Sequence, residues 1–272
     1  MIKTAIILTV YNRKEVTLQG LRSLYEAIKT LGNDYTFDIY MTDDGCSDGT
    51  VNAVREEFPE IHIIKGNGKL FWNQGMRKAW QAANSSQECY DFYLWFNDDI
   101  KLYKSGLQTL FESSIKNGNI AIVSGAFCDD NGIVSYGGWS NNELVTPNGQ
   151  PQQVEKINGN LVLVPKAVYD IIGMLDEHFR HSYGDWEYGI RARKAGIQLV
   201  ITPSYVGTCN RHDTLRKCYD SEVSLTNRLK DLYSPNSVCP KDLLYYNCKC
   251  NSLYVALKSI VSIHLRTLFP NT

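Results

Sequence analysis

The chain has 272 residues, 43% of them apolar, and a formal net charge of -1. That length fits one large α/β domain with an appendage, and the apolar share is enough for a full core rather than a disordered chain. A charge so close to neutral argues against a nucleic-acid partner, which draws a basic excess, and no uncharged apolar run reaches the roughly 18 residues that read as a membrane span.

Taken in chain order, Ala5-Ile6-Ile7-Leu8 is a short apolar run and reads as a buried strand. Leu21, Leu24, Tyr25, Ile28 and Leu31 recur at helical spacing, and Gly32-Asn33-Asp34 stops that helix. A strand follows over Phe37 to Met41, then a helix over Thr50 to Phe58, and a strand over Ile61 to Ile64. Met76 to Ala83 reads as helix and Phe92 to Phe96 as strand. Strands and helices alternating in this way imply a parallel sheet with right-handed crossovers. Further on, the pattern predicts a helix over Leu107 to Ile115 and a strand over Ile120 to Gly125. Residues 128 to 153 are rich in Gly, Asn, Asp and Gln and read as loops and small strands. A strand over Leu161 to Val164 ends at Pro165, with a short helix over Lys166 to Ile172. A helix over Asp185 to Ala195 stops at Gly196, and Leu199-Val200-Ile201 is the last strand. Near the end, Leu253, Leu257, Ile260, Val261, His264, Leu265 and Leu268 share one helical face. From Lys241 onward there are four Lys or Arg and one Asp, so this helix reads as basic and amphipathic.

Eight cysteines are scattered without a CxxC pair; Cys248-Lys249-Cys250 stands alone, which argues against zinc. Met1-Ile2-Lys3 leads straight into the first strand with no secretory signal. Reduced thiols in the cytoplasm are the expected setting.

The chemistry gathers in carboxylates at strand ends. Asp43-Asp44 ends one strand, Asp98-Asp99 another, and Asp185 opens a late helix. In an open α/β sheet, ligands bind outside the carboxyl ends of the strands. Like charges grouped there suit a hard divalent cation or a ligand rich in donors; taken singly, each Asp could instead cap a turn or helix.

Four blocks are similar to family 2 glycosyltransferases of the GT-A fold: Thr9-Val10-Tyr11-Asn12-Arg13; Asp43-Asp44-Gly45-Cys46-Ser47-Asp48-Gly49-Thr50; Asn97-Asp98-Asp99; and Gly184-Asp185-Trp186-Glu187-Tyr188-Gly189-Ile190-Arg191. Asn158-Gly159-Asn160 and Met174 to Phe179 also fit. The resemblance covers residues 1 to about 212. It implies an α/β, Rossmann-like fold with a mixed, mainly parallel sheet flanked by helices. Residues 1–100 would form a nucleotide-binding half, 101–212 an acceptor half, and 213–272 a C-terminal helical extension. It further implies transfer of a sugar from a nucleotide diphosphate-sugar, UDP- or dTDP-linked, to the hydroxyl of a glycan or lipid-linked glycan acceptor. The anomeric centre would be inverted.

The resemblance also assigns residues. Thr9, Val10, Tyr11 and Arg13 would line the nucleotide with Asp43, Asp44, Asn73 and Asp98, and Asp44 would accept the imino N–H of a uracil or thymine ring. Asp99 would hold Mg²⁺ or Mn²⁺, joined by His212. Asp185 would be the general base, and Trp139, Asn158, Gly159 and Trp186 would meet sugar or acceptor. Asn97 replaces the first carboxylate of the family's metal motif, and Gly184 replaces the first residue of its Glu-Asp pair. Gly66-Asn67-Gly68 and Trp72 resemble rhamnosyltransferase-like members, which points to a dTDP-sugar. Relatives of this length build bacterial surface polysaccharides, which places the enzyme in the cytoplasm, at the inner face of the membrane if the C-terminal helix touches lipid.

Two other readings compete. A nucleotidyltransferase would carry a glycine-rich basic stretch after the first strand, where this chain has Tyr11-Asn12-Arg13-Lys14. A non-catalytic sugar-binding module on the same fold would not hydrolyse a donor when Mn²⁺ is added.

Overall fold

A computed structural model describes residues 1–211 and 215–270. The first half alternates strand and helix: β1 (Ile2–Val10), α1 (Lys14–Lys29), β2 (Tyr35–Asp43), α2 (Thr50–Glu57), β3 (His62–Lys65), α3 (Phe71–Ser85) and β4 (Phe92–Phe96). Then come β5 (Lys101–Leu102), α4 (Gly106–Lys116), β6 (Ile122–Cys128), β7 (Val134–Tyr136), β8 (Gly138–Ser140), β9 (Glu143–Leu144), β10 (Gln152–Gln153) and β11 (Lys156–Ile157). The rest is β12 (Leu161–Pro165), α5 (Lys166–Ile172), α6 (Gly184–Lys194), β13 (Leu199–Thr208), a 3-10 turn at Lys217–Tyr219, α7 (Leu225–Leu232), α8 (Pro240–Cys250) and α9 (Leu253–Leu268).

The main sheet runs β10-β13-β6-β12-β4-β1-β2-β3, with β5 and β7 at its margins, and β11-β8-β9 form a small second sheet. β3, β2, β1 and β4 are mutually parallel; β12 runs antiparallel between β4 and β6, and β13 returns parallel to β6. This is the mixed, mainly parallel sheet flanked by helices that the sequence predicts.

Its central strands read as unbroken apolar runs because both faces are covered. Ile6, Leu8, Leu94, Phe96, Leu161 and Leu163 face α1, α2 and α4. Ala5, Ile7, Tyr93, Trp95, Val162 and Val164 alternate to the other face, under α3, α5 and α6. Each large side chain fully buried there contributes on the order of 1.5–3 kcal/mol.

Two elements differ from the sequence expectation. β13 continues past Ile201 to Thr208, where Pro203, lacking an N–H, coincides with a shift of register against β6. The expected helix over Leu253 to Leu268 is α9, preceded by α7 and α8, but it has two apolar faces rather than one. Ala256 and Ile263 are buried on it, with Ile260 beside them against Leu232 and Val238. Leu257, Val261, Leu265 and Leu268 are exposed. The extension is tied to the body by polar contacts: Lys249 Nζ reaches Asp176 Oδ2 at 2.5 Å and Glu187 Oε1 at 2.8 Å, and the Tyr183 hydroxyl donates to the Val238 carbonyl at 2.9 Å. No helix among the described residues is long and apolar enough to cross a membrane.

Candidate active site

β1 pairs with β2 on one side and with β4 on the other, so the chain reverses its direction of winding between β1 and β4. Outside the carboxyl ends of those strands, where such a reversal opens a crevice, lies a cavity of about 850 Å³. Thr9, Val10, Tyr11 and Arg13 reach it from the end of β1, Asp44 from β2, and Asn97, Asp98 and Asp99 from β4. Asn158, Gly159, Asp185 and Trp186 line it as well.

Asp44 is 4% exposed and already holds three backbone donors. Its Oδ1 accepts from the Gly68 N–H at 2.9 Å, and its Oδ2 from Leu70 and Phe71 at 2.9 and 3.0 Å. Leu70 and Phe71 start α3, which has no capping side chain of its own. The carboxylate therefore serves as a remote cap on that helix. Oδ1, with one donor, keeps a second lone pair unused.

Asp98 and Asp99 differ sharply. Asp98 is 1% exposed; its Oδ1 accepts from Arg13 Nη2 and its Oδ2 from the Thr17 hydroxyl at 2.7 Å. Burial pushes its carboxyl up to about 6, against the pull of Arg13 and Thr17. Asp99 gives Oδ2 to Arg13 Nη1 at 3.0 Å, while its Oδ1 is buried without a hydrogen-bond partner. Asn97 is held elsewhere, its Oδ1 accepting from Trp72 Nε1 at 2.7 Å.

Asp185 sits in the first turn of α6, whose N-cap Tyr183 has a left-handed backbone (φ 72°) and offers no capping side chain. Its Oδ1 accepts from the Trp186 N–H at 2.9 Å and its Oδ2 from the Gly159 N–H at 3.0 Å. Burial raises its carboxyl to about 6, opposed by those two N–H donors. A side chain at Gly159 would meet the Trp72 ring at 2.6 Å, so glycine there lets Trp72 lie against the loop that carries Asp185's partner.

Three expected site residues have other work. Asp43 is absent from the cavity wall; its Oδ1 accepts from Gly45 and Cys46 N–H at 3.1 and 2.7 Å and shapes the turn after β2. Asn73 is fully buried, its amide donating to the carbonyls of Asp176 and Phe179 at 2.8 Å each, so it clips α3 to the 176–179 loop. Trp139 lies off the wall and donates from Nε1 to Asn158 Oδ1 at 3.0 Å, which orients a residue that is on it. His212 lies outside the described residues.

The Asn73 clip accounts for Gly184. A Cβ at position 184 would stand 1.9 Å from Asn73 Oδ1, in a side chain that two hydrogen bonds hold in place. Gly184→Ala should therefore destabilise the protein by about 1–3 kcal/mol, as overpacked sites do. A thermal melt checks this; an unchanged melting temperature would show that Asn73 yields freely.

Sequence reasoning gave no role to several residues on the wall, among them His181, Arg216 and Asn236. Arg216 and Asn236 come from the C-terminal extension, so the extension helps form the cavity. Burial, Arg216 and Arg13 lower the pKa of His181, and its Nδ1 is buried without a partner. Among the described residues, no three His, Cys, Asp or Glu side chains converge on a point that could hold a metal by themselves.

The family model described as "Glycosyl transferase family 2" matches residues 5–161. No curated protein sequence matches the chain. Among solved structures, the mannosyltransferase PcManGT from Pyrobaculum calidifontis, in complex with GDP-Man and Mn²⁺, superposes with a TM-score of 0.55 at 14% identity, over 96% of this chain and 75% of that one. GalNAc-T7 with UDP, GalNAc and Mn²⁺ gives 0.58 at 12% identity, over 97% of this chain and 57% of that one. TarS of S. aureus gives 0.56 at 12% identity, over 97% and 44%. These likenesses establish the fold.

Proposed function

The chain belongs to glycosyl transferase family 2, and on that premise we propose that it is an inverting enzyme. It would take a sugar from a UDP- or dTDP-linked donor and place it on a hydroxyl of a glycan or lipid-linked glycan. The observation that carries this reading is one cavity lined by two sets of carboxylates: the Asp98-Asp99 pair at the end of β4, and Asp185, raised to about 6, at the start of α6. The first suits the diphosphate end of a donor. The second suits removal of a proton from an acceptor hydroxyl.

A divalent cation fits the β4 end. The unpartnered, buried Oδ1 of Asp99 is an oxygen with no other use in the protein, and hard cations such as Mg²⁺ and Mn²⁺ take oxygen. Asp99 would be the residue that holds the cation. When bound, the ion offsets negative charge on the departing nucleotide. Arg13, held by Asp98 and Asp99, brings fixed positive charge to the same wall, and Arg216 brings more from the rim. His181, kept neutral, can accept or donate a hydrogen bond there without adding charge.

The chain's own groups perform the transfer as follows. Val10 and Tyr11 line the floor at the end of β1, where the base would lie, and Asp44's remaining lone pair faces its imino N–H. Trp186 and Asn158 border the sugar and acceptor. Asp185 takes the hydroxyl proton as the oxygen attacks the anomeric carbon from the side opposite the diphosphate. One displacement with no covalent enzyme intermediate inverts that centre. A bacterial surface polysaccharide is the product class we favour, made on the cytoplasmic side of the membrane.

Asp44 tests the donor half. Because the carboxylate also caps α3, Asp44→Ala should lower both stability and affinity, leaving three buried N–H groups without acceptors at about 1–3 kcal/mol each. Asp44→Asn keeps the shape and most of the capping but cannot accept from an imino N–H on a face turned to its amide. We expect it to stay folded and to bind uridine or thymidine diphosphate about tenfold or more weakly, the value of a hydrogen bond to a charged group. Calorimetry showing unchanged affinity for both nucleotides would remove this role.

A further inference from the structure

The exposed face of α9 is a feature that the proposed chemistry leaves unused. Its inner face is fixed in a small core with Cys218, Leu232 and Val238 through Ile263. On the outer face Tyr254, Leu257, Val261 and Leu265 are 73%, 55%, 58% and 50% exposed, with Leu268 beside them. At 3.6 residues per turn these five fall within an arc of about 80°, a continuous apolar stripe rather than scattered side chains. Lys258, Ser262 and Arg266 border it, and α9 contains no Asp or Glu. The exposed aromatic rings of Tyr254 and Phe269 stand at its two ends.

We propose that α9 docks the protein on an anionic lipid bilayer, its stripe lying in the headgroup boundary and Lys258 and Arg266 meeting lipid phosphates. Charge decides the occupant. A helix whose charged side chains are all cationic complements an anionic surface, whereas a second copy would bring a face of the same sign. The shape agrees: the stripe belongs to one convex helix, which a flat boundary covers and a partner helix would need a groove to match. The helix also packs on the turn that follows a cavity residue. Arg266 lies over the Tyr219 ring at 4.4 Å, in the turn that follows the cavity residue Arg216, and Cys218 of that turn packs in the core under α9. Docking would therefore set one rim of the cavity at the lipid surface. That consequence rests on the transferase reading, since it brings the site to a lipid-linked acceptor; the docking itself does not.

The test uses the full chain without donor or acceptor, so failure of the transferase reading leaves it undisturbed. Flotation is measured with vesicles of phosphatidylcholine alone and of phosphatidylcholine with phosphatidylglycerol. The expected result is flotation with the anionic vesicles that salt weakens, and little with the neutral ones. A triple variant, Leu257→Ser, Val261→Ser and Leu265→Ser, should lose it while keeping the wild-type melting curve, because all three side chains are exposed. Lys258→Gln should reduce partitioning about fivefold on anionic vesicles, which keeps the test decisive if the triple variant folds poorly. Equal flotation of the Lys258 variant, no flotation of the wild type on anionic vesicles, or a dimer that the triple variant dissolves would each overturn the proposal.

Discussion

Asp185→Asn should lower donor turnover by about 10²- to 10⁴-fold, the usual contribution of a positioned general base, while nucleotide affinity and the fold survive. The structure says why the fold survives. Asp185 receives N–H donors from Trp186 and Gly159. Asn can still accept one of them, so the loss is one hydrogen bond, about 1 kcal/mol net. A residue that merely shaped the first turn of α6 would therefore show a small fall in melting temperature and near-normal turnover. The base reading predicts the reverse weighting. The pH profile is a second, independent check. Burial holds the carboxyl at about 6, so Asp185 is protonated and idle below that pH and becomes an ionised base above it. Activity should rise with pH through about 6. Asp98 ionises in the same range, so kcat/KM mixes the two groups, whereas kcat at saturating donor reports the bound complex. A fully active Asn variant, a kcat/KM flat from pH 5 to 7, or a product with retained configuration would overturn the mechanism.

How far the sequence alone reaches depends on how far the relevant contact lies along the chain. The central strands are legible because both faces are buried, so Ala5 to Leu8 and Phe92 to Phe96 are apolar without interruption. Asp44, Asp98 and Asp99 are legible because they stand just past the ends of β2 and β4, and the topology brings those strand ends together; Asp185 opens a helix instead, and the family resemblance is what marks it. Asn73 and Gly184 are not. Asn73 is expected at the nucleotide, yet its amide is fixed to carbonyls of the 176–179 loop, and its oxygen fills the space a side chain at 184 would need. Nothing local marks either residue for that contact. Arg216 was hidden for a related reason: it lies in a segment that reads as an appendage, and only folding returns it to the wall. In α9 the periodicity was correct and its meaning incomplete. Apolar residues at helical spacing show that a face exists; they do not show whether core or solvent receives it, and this helix has one of each.

The remaining prediction concerns the two neighbouring carboxylates, which should respond very differently to removal. Asp98 has both oxygens engaged, by Arg13 and by Thr17 beneath it. Asp99 shares one oxygen with Arg13 and keeps the other buried and unpartnered. If that free oxygen is where a divalent cation attaches, chelation by EDTA should abolish turnover of the donor and Mn²⁺ should restore it. Asp99→Asn should then cost about 10²-fold or more in turnover, in line with several kcal/mol of lost charge stabilisation on the leaving group. Its stability should change little, since Asp99 is partly exposed and its one ion pair involves an Arg that is 44% exposed. Asp98→Asn should instead act on the fold, because it removes the buried charge on which Arg13 and Thr17 converge; the Asn amide would also confront one of those donors. Melting temperature and Mn²⁺ titration, measured on both variants, separate the two. The expected pattern is normal melting with lost Mn²⁺ binding for Asp99→Asn, and lowered melting for Asp98→Asn. Full activity in chelator, or Mn²⁺ binding that Asp99→Asn leaves intact, would show that the unpartnered oxygen serves something other than a metal.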